Sequence, residues 1–198
     1  MATVTETAAQ TPQIGSQSEY EPEGLYEFVD GKVVEKPPLG AFDVELASLL
    51  VQLMGIFVKQ NRLGRVVSEL LFRVNSKPRL DLRPDVAFVS KTTWPLERRA
   101  PVTAAWNVVP DLVVEVLSPT NRSVEDREKV EKYFSVGTKA VWLVYPPLSI
   151  IDVYTSPTKI TVYKRGDTLD ASPAIPGFTF ELVELFGDPL PETDGPSE

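Results

Sequence analysis

The 198-residue sequence contains neither cysteine nor histidine. Without cysteine there can be no disulfide and no zinc-thiolate site. Without histidine, Ser-His-Asp and Cys-His catalysis and imidazole metal ligation are excluded as well. Any chemistry therefore falls to carboxylates, lysines and hydroxyls. No run approaches the roughly 18 to 20 consecutive apolar residues of a membrane-spanning helix. The N-terminus also lacks the basic, apolar and small-residue succession of a secretory signal. A cytoplasmic protein, away from membranes, is the expectation. Positive charge is scarce too, since 20 Lys and Arg against 28 Asp and Glu leave a net charge of −8. Taken alone, that opposes binding to a polyanion, which draws on basic side chains. Six of the acids, however, lie near the ends: Glu6, Glu19, Asp188, Glu192, Asp194 and Glu198, with no basic residue among them. Removing those six charges leaves −2 on the remainder, which neither supports nor excludes a nucleic-acid substrate.

The length suits one domain with a well-buried core. Residues 1–19 are mainly Thr, Ala, Gln and Ser, and residues 188–198 are rich in Pro and acids. Both ends are expected to be disordered tails on a domain spanning 20–187. Asp30-Gly31, between Tyr26–Val29 and Lys32–Glu35, predicts a two-residue β-hairpin. Apolar residues at Val44, Ala47, Leu50, Val51, Met54 and Val58 recur at helical spacing and predict a helix over Asp43–Gln60. A strand is expected over Arg65–Val74 and a short one over Asp85–Val89. Lys91–Pro110 reads as a loop with a hairpin or short turn. Leu112–Leu117 is an apolar run interrupted by one charge, as in a central strand covered on both faces. A helix from Ser123 to Val136 follows, with Gly137 at its end. Ala140–Tyr145 predicts another buried strand, Ile150–Tyr154 and Lys159–Tyr163 a hairpin-like pair, and Phe178–Phe186 closes the domain. The fold class is α/β (α+β): an αβββαβ core with a mixed sheet flanked by helices, an N-terminal β-hairpin and C-terminal strands.

Glu115 is the most informative residue. A carboxylate within a buried strand costs several kcal/mol unless a cation compensates it. Asp85, restrained by Pro84, starts a neighbouring strand and can share a sheet face with Glu115. Two hard oxygen ligands without sulfur or imidazole favour Mg²⁺ or Mn²⁺. On the next helix Glu125, Lys129 and Tyr133 form one face, from which Lys129 can reach the carboxylates. This inventory suits phosphodiester hydrolysis, in which a metal polarises the phosphoryl group and an ammonium neutralises developing charge.

The Pro84-Asp85 pair, the Val-Glu-Val around Glu115 and the αβββαβ order resemble the PD-(D/E)XK nuclease superfamily. More closely, the runs 30–35 (DGKVVE), 83–89 (RPDVAFV) and 110–119 (PDLVVEVLSP), with Lys129, Tyr133, Gly137 and Trp142-Leu143-Val144, resemble the Uma-two family of restriction endonuclease-like proteins. The resemblance extends over about residues 20–186. It implies that Asp85 and Glu115 are metal ligands, that the catalytic lysine sits at Lys129, and that Glu45, or alternatively Glu35, supplies the acid of the first helix. It further implies a Mg²⁺-dependent endonuclease acting on DNA. In three places the chain departs from the pattern: Leu117 stands where the superfamily motif has lysine, Tyr145 stands where aspartate is common, and no histidine is present near the first helix.

Plainer readings exist beside these. Glu115 and Lys129 could form a buried strand-to-helix ion pair with no metal, in a catalytically silent nuclease-fold module that binds DNA or protein. Trp94, Trp106 and Trp142 read as core or interface aromatics. The segment Trp94 to Trp106 would then be the interface of a homodimer.

Overall fold

A computed structural model of the chain describes residues 22–74, 76–117 and 123–187. The tails expected at 1–19 and 188–198, together with Ser118-Pro119 at the end of the run 110–119, lie outside these residues. The chain opens with strands β1 (Tyr26–Val29) and β2 (Lys32–Glu35), followed by helix α1 (Ala41–Gln60). Six strands then intervene: β3 (Gly64–Ser68), β4 (Leu71–Val74), β5 (Leu80–Leu82), β6 (Val86–Ser90), β7 (Ala105–Trp106) and β8 (Leu112–Val116). Helix α2 (Ser123–Ser135) leads to β9 (Ala140–Tyr145), β10 (Ile150–Ser156), β11 (Lys159–Lys164), β12 (Thr168–Asp170), β13 (Thr179–Glu181) and a short helix α3 (Leu182–Phe186).

The main sheet has the order β11-β10-β9-β8-β6-β3, and a second sheet has the order β2-β1-β5-β4-β7. Within the main sheet the chain runs α1, β3, β6, β8, α2, β9, which is the expected αβββαβ core. Between β8 and β9 the pairing is parallel; β3, β6 and β8 pair antiparallel. The sheet is therefore mixed.

Helix α1 forms because its apolar side chains return every three or four residues. Leu46, Ala47, Leu50, Met54 and Val58 are buried against the main sheet. Asp43 in its first turn and Lys59 in its last complement the helix dipole. By length and mean hydropathy (1.8) this helix is apolar enough to cross a bilayer, contrary to the expectation from sequence. In this fold it is a core helix, packed along one face. The Asp30-Gly31 hairpin forms as predicted, with φ of 52° and 77°, the positive pair that a two-residue primed turn needs. At Gly64 a Cβ would stand 2.2 Å from the Val89 carbonyl oxygen, so only glycine lets β3 approach β6 so closely.

The second sheet departs from the sequence reading. The single strand over Arg65–Val74 is two strands in different sheets, because Glu69 adopts a positive φ of 49° and turns the chain from one to the other. Leu80–Leu82, to which the sequence reading assigns no element, is a strand between β1 and β4. Of the two readings of Trp94 and Trp106, the core one describes them: they pack edge-to-face at 5.3 Å, buried with Phe72, Ala87 and Val89.

Candidate active site

The sheet register brings the two carboxylates together. Strands β6 and β8 pair Val86 with Val114 and Ala87 with Val113, so one step further along the ladder sets Asp85 opposite Glu115. Directly opposed residues share a face. On β8, Leu112, Val114 and Val116 join the core that contains α1, whereas Val113 and Leu117 pack with Val130 and Tyr133 of α2. Glu115, midway between Val113 and Leu117, shares the face of the second set and so faces α2. Asp85 and Glu115 are 1% and 4% exposed, too little for water to balance either charge.

Each carboxylate is held by specific donors. The Asp85 Oδ2 accepts the Val116 N–H at 2.6 Å, and its Oδ1 accepts the Lys36 ammonium at 2.6 Å. Lys36 also donates to the Arg83 carbonyl oxygen at 2.6 Å and lies 3.9 Å from Glu115 Oε2. Glu115 Oε1 accepts the Tyr133 hydroxyl, and Oε2 pairs with Lys129 Nζ at 3.0 Å. Lys129 is further drawn toward Glu27 Oε1 at 3.6 Å, while that oxygen accepts the Arg83 N–H at 2.7 Å. Lys129 and Tyr133 therefore reach Glu115 from one helical face, four residues apart, as the sequence predicts. Glu125, on the same face, has no described side chain.

Burial raises the Asp85 carboxyl above the ordinary range, the charge of Glu115 adds to the rise, and Lys36 and the Val116 N–H offset it only in part. Burial would raise Glu115 as well, but Lys129, Lys36 and Tyr133 outweigh it and hold that group below the usual value. Burial opposes the Lys129 charge, yet Glu115, Glu27 and Asp85 keep its pKa well above that of a free lysine. Lys129 is thus a permanent ammonium: a donor and counter-charge, unsuited to taking a proton. Burial, followed by the charges of Glu115 and Glu27, likewise keeps Tyr133 protonated.

The structure does not bring Glu45 to this cluster. It is exposed on α1, and it is Asp43 that lines the cavity above the carboxylates, together with Glu35. Two residues of α-helix turn the direction by about 200°, so Asp43 and Glu45 cannot face the same side. Sequence reasoning missed Lys36 and Glu27. Glu27 alternates with Tyr26 and Phe28 and looks like an outward-facing strand charge, whereas it is buried beside Lys129. Lys36, before two prolines, reads as part of a turn.

Among the described residues, no group of three or more acidic side chains could hold a metal ion. The oxygen set around Lys36 is nevertheless that of a hard cation: Asp85 Oδ1 and the Arg83 carbonyl accept its ammonium, and Glu115 Oε2, paired with Lys129, lies 3.9 Å from it. These donors fit Mg²⁺ or Mn²⁺ in kind, and the ammonium shows that a cation is already stabilised among them.

No curated protein matches the chain. A crystal structure of a "putative nuclease belonging to DUF820" from Anabaena variabilis has the same fold, with a TM-score of 0.70 and 20% identity, over 81% of this chain and 89% of that one. A family model described as "putative restriction endonuclease" matches residues 16–183. On that match, which spans most of the sequence, the chain belongs to the Uma2 family.

Proposed function

We propose that the protein is a divalent-metal-dependent endodeoxyribonuclease in which Asp85 and Glu115 hold the ion and Lys129 serves as the counter-charge for the scissile phosphate. The observation that carries this reading is the meeting of two buried carboxylates on one face of the sheet, with a fixed ammonium beside them. The cavity they line measures about 350 Å³. Its walls carry Glu27, Glu35, Asp43, Asp85, Glu115 and Asp126 against Lys36 and Lys129, a formal −4 that repels a phosphodiester unless cations intervene. Mg²⁺ or Mn²⁺, when bound, supplies Lewis acidity toward the phosphoryl oxygen and lowers the pKa of a bound water. The Val116 N–H fixes the Asp85 carboxylate, and Tyr133 fixes Glu115 so that Oε2 faces the cavity. Lys129, which keeps its proton, donates to the charge that develops on the phosphoryl oxygens.

A second reading, a catalytically silent module that binds DNA or protein, is favoured by one observation: every oxygen of Asp85 and Glu115 already has a partner within the chain. Plasmid cleavage in Mg²⁺ or Mn²⁺ separates the two. The nuclease reading expects cleavage by the parent and its loss, by roughly a thousandfold or more, in Asp85→Ala and Glu115→Ala variants that retain the parent's circular dichroism. Cleavage of equal rate in parent and variants would reject it, and DNA binding without cleavage would favour the silent module.

A further inference from the structure

Among the described residues, Lys36 is the one lysine within 4 Å of both carboxylates, and it comes from none of the elements that carry the rest of the charge cluster. It follows β2, the edge strand of the second sheet, whose four residues are all exposed. Its ammonium lies 2.6 Å from Asp85 Oδ1, 2.6 Å from the Arg83 carbonyl oxygen and 3.9 Å from Glu115 Oε2.

We propose that Lys36 is a displaceable counter-ion: its ammonium occupies the place among Asp85, Glu115 and the Arg83 carbonyl that a divalent cation takes, and it withdraws when the cation binds. This rests on the metal-site reading above and adds what sets the affinity of that site. Oxygen ligands stand about 2 Å from Mg²⁺. With Lys36 still at 2.6 Å from the same Asp85 oxygen, the two cations would be only about 3 to 4 Å apart in a poorly solvated site, a costly repulsion. One of them must leave. The Lys129 ammonium pairs with Glu115 and Glu27, whereas Lys36 sits on the very Asp85 oxygen and Arg83 carbonyl that the ion would take, so Lys36 is the one that leaves, on a flexible four-carbon stem beside the cavity. Glu35, Asp43 and Asp126 line the same cavity and give the departing charge an acidic wall to face. Lys36 thus neutralises two buried acids while no metal is present, and it raises the ion concentration needed to charge the site.

Mn²⁺ binding, read from the free-ion electron paramagnetic resonance signal, tests this without reference to cleavage. Lys36→Met should bind Mn²⁺ at least about tenfold more tightly than the parent, and adding Asp85→Asn to that variant should abolish the gain. Mn²⁺ should also raise the melting temperature of Lys36→Met more than that of the parent. Equal or weaker binding by Lys36→Met, at a site that still depends on Asp85, would overturn the role of Lys36 and leave the metal reading standing. Absence of Mn²⁺ binding in both proteins, or binding indifferent to Asp85→Asn, would remove the metal reading and this proposal together. Should Lys36→Met not fold, the parent suffices: on Mg²⁺ titration followed by lysine ¹H–¹³C NMR, the Lys36 Cε resonance should shift in step with the Asp85 carboxyl. An unmoved Lys36 resonance beside a titrating Asp85 would contradict displacement.

Discussion

Asp85 and Asp111 each stand immediately before a strand, β6 and β8, and because those strands run antiparallel the two lie at opposite ends of the pair. Both are nearly inaccessible, at 1% and 3%. Asp111 is a single acid with a full set of donors: Lys139 at 2.7 Å and the Thr93 hydroxyl at 3.0 Å on Oδ1, and the Ser90 N–H at 2.7 Å on Oδ2. Burial would raise it, but these donors prevail and its pKa falls below the ordinary value. Asp85 moves the other way, because its burial weighs most and the charge of a second carboxylate, Glu115, adds to the rise beyond what its donors offset. The opposite shifts distinguish an acid that ties loop to sheet from a more deeply desolvated one that shares its cation with a second carboxylate. The first is complete within the chain; on the reading proposed above, the second is the one that exchanges its ammonium for a divalent ion.

The largest effect that would sharpen this contrast concerns stability. Replacing Asp111 by Ala strands the Ser90 N–H and Thr93 hydroxyl and should cost about 2 kcal/mol or more in urea unfolding, with Mn²⁺ affinity unchanged. An Asp111→Ala variant as stable as the parent would break the comparison at its structural end.

A smaller effect appears in the pH dependence. Asp111, with its folded pKa lowered from 3.8, contributes stability that is present above 3.8 and is lost as pH falls through the lower folded value. Asp85, with its folded pKa raised from 3.8, contributes stability that is present below 3.8 and is lost as pH rises through the higher folded value. In metal-free buffer, the deficit of Asp111→Asn relative to the parent should therefore shrink toward acid pH. Asp85→Asn should gain on the parent as pH climbs above the ordinary carboxylate range. Parallel pH profiles for the two variants would mean that the two aspartates are held alike.

Much of the fold was legible because period and punctuation agree with burial. The i, i+3, i+4 recurrence marks α1, the apolar run marks β8, and Asp30-Gly31 marks the first hairpin. Glu115 and Asp85 were legible for a related reason, since a charge in or beside a buried strand is out of place locally. Lys129 and Tyr133 followed from helical spacing. What could not be read depends on contacts between distant segments. Glu69 carries no glycine to announce its positive φ, so the break between β3 and β4 is invisible in sequence. Lys36 and Glu27 gain their meaning only from the second sheet folding against β6 and α2, 47 or more residues away. Glu45, with Glu35 as its alternative, was named without the helix rotation that turns Asp43 rather than Glu45 to the cavity.

The most direct measurement is a crystal soaked in Mn²⁺ and examined at the manganese absorption edge. The account predicts an anomalous peak between Asp85 Oδ1 and Glu115 Oε2, with the Lys36 ammonium moved out toward the cavity. A saturating soak with no peak there, and with Lys36 still seated on Asp85, would contradict it.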